Sequence, residues 1–217
     1  MGHVWAAEVY FGNGCFFHVQ HVMVTEFEEA VLERSGNTTT SVASYAGGVN
    51  ATRLCYHNAD NASDYGLLGH AEVVALQLDS PAQLQSAAEI FFRSFVKTGG
   101  FWGRQDIFDQ GQEYRALIGM PAGSTWFEAV QTANSKVHNM TLVQGKGQTD
   151  PDTLFTNKVY LLDSSLFPPT QAELCLQFHD DNPSYSPPYS QKYHELLQIL
   201  QQRGRLKHTS CPKNFIC

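Results

Sequence analysis

The segment Ala6-Ala7-Glu8-Val9-Tyr10-Phe11-Gly12-Asn13-Gly14-Cys15-Phe16-Phe17 joins a strand to a helix through two glycines and sets a cysteine at the junction. Residues 6–11 read as a short strand, which Gly12-Asn13-Gly14 breaks. Apolar residues then recur at Phe16, Val19, Met23, Phe27, Ala30 and Val31, one face of a helix that Gly36-Asn37 ends. Thr40 to Tyr45 reads as a strand stopped by Gly47-Gly48, and residues 50–69 as a long polar loop. His70 to Asp79 alternates, with Glu72, Val74, Leu76 and Leu78 on one face and Ala71, Val73, Ala75 and Gln77 on the other. Ser80-Pro81-Ala82-Gln83 forms a capping box with proline at the first helical position. The helix behind it turns Leu84, Ala88, Phe91, Phe92, Phe95 and Val96 inward and is predicted to run to Gly99-Gly100. A strand over Glu113–Gly119, a helix over Thr125–Val137 and short strands near Leu142 and Val159 follow. Asp180 to Ser190 is a Pro/Ser/Tyr loop, Ser190 caps a helix to about Arg203, Gly204 closes it, and a tail carries Cys211 and Cys217. Two strand–helix units with extra strands predict an α+β fold, a two-layer sandwich of helices against a mostly antiparallel or mixed sheet. One domain is expected over 1–217, with the core at about 6–178 and a loop, helix and tail over 179–217.

Composition bounds the function. Hydrophobic residues at 42% and aromatics at 12% exclude a disordered chain. A net charge of −7 argues against a broad basic surface for nucleic acid. No apolar run approaches the ~18 residues of a membrane span. Met1-Gly2-His3-Val4-Trp5 lacks the charged start and apolar stretch of a signal peptide. The five cysteines, at 15, 55, 175, 211 and 217, contain no CxxC pair, and an odd number leaves at least one outside any intrachain bridge. Four Asn-x-Ser/Thr sequons occur, at Asn37, Asn50, Asn61 and Asn139, among ten asparagines. Sequons arise by chance roughly one time in eight, so about one is expected, and the excess favours a secretory history.

Cys15 sits where a helix begins, beside backbone N–H groups with no helical partner. The dipole there stabilises an anion and lowers a thiol pKa. Glu72 shares its strand face with Val74, Leu76 and Leu78, so desolvation should raise its pKa and keep it protonated near neutrality, ready to act as a general acid. A competing pattern, Cys15, His18 and His21 at i, i+3 and i+6, could face one side of the helix. Three ligands on one short arc rarely enclose an ion without a second segment, so no metal is expected.

Gly14-Cys15-Phe16-Phe17 with Gln20 resembles the Gly-Cys-Phe-Trp signature of the A-type peptide methionine sulfoxide reductases. Ser44-Tyr45-Ala46-Gly47-Gly48 resembles that family's Gly-Tyr-x-Gly-Gly, and Gly69-His70-Ala71-Glu72 its Gly-His-Ala-Glu. Asp109-Gln110-Gly111-Gln112-Glu113-Tyr114-Arg115 is similar to its Asp-x-Gly-x-Gln-Tyr-Arg. The four segments keep the family's order over about residues 6–120. Beyond them the likeness narrows to Gln191-Lys192-Tyr193 and the tail cysteines.

The resemblance implies a ferredoxin-like core and reduction of methionine S-sulfoxide, free or in peptides and proteins. Cys15 would attack the sulfur and become a sulfenic acid, Glu72 would protonate the departing oxygen, and tyrosine hydroxyls would hold that oxygen. Tyr114 matches one family tyrosine; Tyr56 is chosen for the other, with Tyr65 in reserve. Asp109 matches an aspartate that orients the network. Phe16 and Phe17 would cup the S-methyl group, Phe17 standing where the family has tryptophan, and Tyr45, Gly69 and His70 would line the substrate. Cys211 is the first candidate for the resolving thiol and Cys217 the second. Otherwise Cys55, Cys175, Cys211 and Cys217 form two bridges, in one of three pairings. No bound cofactor is implied; an external dithiol such as thioredoxin is the implied reductant, no nucleic acid or membrane partner is expected, and the protein is expected to be a monomer. The resemblance implies a cytoplasmic or organellar setting, against the sequons. Reduction of a different sulfoxide on the same scaffold, or a non-catalytic binding module, are the alternatives.

Overall fold

The computed structural model describes residues 6–179 and 192–212. Strand β1 (Ala7–Gly12) leads into helix α1 (Phe16–Val22), which continues as a π-helical stretch over Met23–Glu29. β2 (Val42–Ala46), β3 (Ala71–Leu78) and α2 (Pro81–Arg93) follow. After them come β4 (Val96–Thr98), β5 (Phe101–Gly103), β6 (Leu117–Met120) and α3 (Ser124–Val137). β7 (Thr141–Gln144), β8 (Lys158–Asp163), β9 (Thr170–Gln171) and α4 (Lys192–Gln202) complete the chain.

The main sheet has seven strands in the order β7-β8-β6-β1-β3-β2-β9. Its middle four, β6-β1-β3-β2, are antiparallel throughout. With α1 after β1 and α2 after β3, this is the ferredoxin-like βαββαβ arrangement. β8 and β7 extend one side in parallel, and β9 pairs antiparallel with β2 on the other. β3 divides its side chains as the alternation predicts. Val74, Leu76 and Leu78 pack with α1 and α2 residues in the larger core, while Ala71, Val73 and Ala75 join Tyr10, Leu117 and Leu162 on the opposite face. A third apolar cluster seats α4 through Leu196 and Leu200 on Val24 and Val42.

Four local expectations are corrected. The helix after Ser80 stops at Arg93, and Val96–Thr98 pairs with Phe101–Gly103 as a hairpin. Gly99 and Gly100, at φ +58° and +91°, form the tight turn between them, the conformation a two-residue hairpin needs and other residues resist. The capping box is half formed: Ser80 Oγ accepts from the Gln83 N–H at 3.3 Å, but the Gln83 side chain accepts from Asp79 N at 2.8 Å. The strand expected over Glu113–Gly119 is shorter, because Gln112–Tyr114 is a single 3₁₀ turn that frees Tyr114 and Arg115 for other contacts. The loop over residues 50–69 is polar but built: Cys55 bridges Asp64, and Tyr65 N donates to Cys55 O at 3.0 Å. The Pro/Ser/Tyr loop, the Ser190 cap and Gln191 lie outside the described residues.

Candidate active site

Cys15 caps α1 with extended backbone (φ −59°, ψ 128°), and its sulfur is in no disulfide. The turn before it is held tightly. Gly14 has φ +75°, and a Cβ there would meet Arg104 Cδ at 3.0 Å. Gly14 N donates to Tyr114 O at 3.1 Å, and Cys15 N donates to Asp109 Oδ2 at 3.2 Å. Arg104, buried beneath, donates to Tyr114 O and to the Asp152 carboxylate. The cysteine is thus gripped from the Asp109–Tyr114 segment, which lies about a hundred residues further along the chain.

Glu72 is the second anchor. Its Oε2 accepts the Phe16 N–H at 2.9 Å, one residue from Cys15, and its Oε1 accepts the Tyr65 hydroxyl at 2.9 Å. Burial pushes its carboxyl pKa up to about 8, against the lowering effect of those two donors; Asp109 and Glu113 add to the rise. At neutral pH the group is therefore largely protonated.

An aromatic stack carries the hydroxyls. Tyr45 and Tyr65 stack at 4.5 Å between ring centres, and Tyr65 and Tyr56 at 5.6 Å. The Tyr56 and Tyr114 hydroxyls interact with each other, and both feel the charges of Glu72, Cys15 and Asp109. Burial, first, and those neighbours raise both phenols above their ordinary range, so both stay protonated donors. Phe16 packs at 5.1 Å from Phe17, whose ring stacks on His179 at 4.3 Å.

The structure thus brings Cys15, Glu72, Asp109, Tyr56, Tyr114 and Phe16 into one neighbourhood, and Tyr65 with them. Tyr56 and Tyr65 are complementary here, one interacting with Tyr114 and the other hydrogen-bonded to Glu72. Three residues expected to line the substrate make structural contacts here. Tyr45 is fully buried and its hydroxyl donates to Glu173 at 2.9 Å. His70 Nδ1 accepts from Gly48 N at 3.3 Å, and its Nε2 lies 2.8 Å from Val49 O, so both ring nitrogens clamp the loop. Gly69, at φ +75°, backs onto Gln148. Cys211 is bridged to Cys55 rather than carrying a thiol, one of the pairings left open by the sequence; Cys175 is also disulfide-bonded, and Cys217 lies outside the described residues.

Two positioning residues were not expected from the sequence, and the first, Glu173, has no signal there. Glu173 accepts the Tyr45 hydroxyl and the Tyr56 N–H at 2.8 Å, and becomes available only because β9 adds to the sheet edge. Arg115 is wholly buried and donates to Gly47 O, Gly69 O, Gly147 O and Gln112 O, tying four segments together. Its adjacency to Tyr114 in the quoted motif was the available clue. For metals, the cluster with ligand spacing among the described residues is Cys55, Glu173 and Cys211, within 4.8 Å of one another, and its two sulfurs are joined in the bridge.

The chain is similar in fold to several solved structures. Against methionine sulfoxide reductase A of Corynebacterium diphtheriae the identity is 18% and the TM-score 0.44, over 94% of this chain and 77% of that one. Against Mxr1 from Saccharomyces cerevisiae in reduced form they are 17% and 0.49, over 87% and 90%. Against Mxr1 in an unusual oxidized form they are 14% and 0.40, over 99% and 90%. No family model and no curated protein matches the chain. No helix among the described residues is long and apolar enough to cross a membrane.

Proposed function

We propose that this protein reduces methionine S-sulfoxide, free or in peptides, to methionine. The observation that carries the reading is Glu72: a buried carboxyl with a pKa near 8, hydrogen-bonded to the residue after Cys15. A nucleophile and a neutral acid side by side are what reduction of a sulfoxide requires, since the sulfur must be attacked while its oxygen is protonated. The Cys15 sulfur bonds to the sulfoxide sulfur, Glu72 gives its proton to the oxygen, and the Tyr56 and Tyr114 hydroxyls hold that oxygen. Oxygen transfer to Cys15 releases methionine and leaves a sulfenic acid. A second thiol then forms a disulfide with Cys15 and releases water. An external dithiol restores the cysteine by exchange. If Cys211 is that second thiol, the dithiol must first open its bridge to Cys55.

Phe17 favours a second reading, another sulfoxide reduced by the same chemistry. Stacked on His179, it presents a smaller wall than the tryptophan of the family it resembles. Turnover on S- and R-methionine sulfoxide, dimethyl sulfoxide and a sulfoxide-bearing peptide separates the two. For either, Cys15→Ser is expected to abolish turnover with the fold intact by circular dichroism, and Glu72→Gln to slow it by about 10²-fold or more. Substantial turnover by Cys15→Ser overturns the mechanism.

A further inference from the structure

The four sequons remain unabsorbed by the site. The structure separates their asparagines from the others. Asn37, Asn50, Asn61 and Asn139 are all exposed. Among the described residues none of their side-chain amides makes a hydrogen bond. The described asparagines outside sequons are all buried or half-buried, and three are put to use. Asn13 is buried. Asn58 donates to Tyr56 O at 2.8 Å, Asn134 closes two bonds with Met140 at 2.8 Å, and Asn157 accepts from Trp102 N at 2.6 Å. Each sequon asparagine also lies off the α-helices and sheet strands. Asn37 is in the 3₁₀ turn Gly36–Thr38, Asn50 and Asn61 are in the loop between β2 and β3, and Asn139 lies at φ +51° between α3 and β7. A second, independent observation concerns the sulfurs. Of the described cysteines, Cys55, Cys175 and Cys211 are disulfide-bonded and Cys15 alone is not. Disulfides are far commoner in oxidising compartments, where N-glycosylation also takes place, than in reducing ones.

We propose that Asn37, Asn50, Asn61 and Asn139 are N-glycosylation sites and that the chain matures in a secretory compartment. In the transfer, Nδ2 of each asparagine bonds to the anomeric carbon of an oligosaccharide carried on a lipid diphosphate. The bond from that carbon to the diphosphate oxygen breaks, the amide loses one proton, and the lipid diphosphate leaves. The proposal does not depend on sulfoxide chemistry, and its test involves no turnover. The full chain, isolated from the cells that naturally make it, is treated with peptide N-glycosidase in ¹⁸O water and mapped by mass spectrometry. Asn-to-Asp conversion with ¹⁸O is expected at all four positions, and partial digestion should give a ladder of four mass losses. Thr52→Ala, an exposed substitution that keeps Asn50, should remove one step of that ladder and leave the far-UV spectrum unchanged. The absence of label at any of the four positions, or a ladder unmoved by Thr52→Ala, overturns the assignment.

Discussion

Glu72 is a carboxyl kept from water, held by the Phe16 N–H and the Tyr65 hydroxyl. Its folded pKa, near 8, lies above the 4.5 of an exposed glutamate, so the folded chain holds a proton that the unfolded chain releases. Stability therefore falls as pH climbs from about 4.5 through about 8, by at most about 5 kcal/mol. Glu72→Gln removes that dependence. Its melting temperature should exceed the parent's most at pH 9 and least at pH 4, as thermal denaturation across pH would show. Turnover by the parent should decline above pH 8 as the acid loses its proton. Tyr65→Phe deletes a donor that lowers the Glu72 pKa, so the falling limb of the pH–rate profile should move to higher pH. A limb that stays in place, or moves down, would remove Tyr65 from Glu72's control. At this scale the sequence was informative where chemistry is local. Cys15 at a helix start and Glu72 on an apolar strand face were both legible, whereas the Tyr65–Glu72 bond depends on how a 20-residue loop closes.

Elements were legible where periodicity was long and unbroken, as in β3, α2 and α3. They failed at junctions. The apolar spacing of Phe95 and Val96 continues a helix on paper, but Gly99-Gly100 closes a hairpin more readily than it ends a helix. The segments around the site are held by one side chain, Arg115, whose guanidinium reaches carbonyls after β2, before β3 and after β7. Arg115→Met should leave these buried carbonyls unsatisfied and cost roughly 3 kcal/mol or more in urea-derived stability. Arg115→Lys keeps the charge but loses the planar fork, so it should recover only part of the loss.

For the molecule as a whole, the architecture was legible because two strand–helix units in succession leave few ways to cover one sheet. The additions at its edges were not. β9 is two residues long, and the Cys55–Cys211 bridge joins positions 156 apart, a pairing that no local pattern distinguishes from its alternatives. Opening so long a loop of chain should lower stability by about 2–5 kcal/mol. Denaturant titration of Cys211→Ser against the parent, both under non-reducing conditions, measures it; equal midpoints would mean that the bridge contributes nothing to the folded state.

The same bridge changes what proteolytic damage would look like. Residues 59–62 form an exposed turn between Cys55 and Cys211, the kind of site a protease nicks first. A cut there severs the backbone but leaves the two pieces covalently joined through sulfur. Such a nicked chain would run as a single band on a denaturing gel and fall into two fragments only when reductant is added.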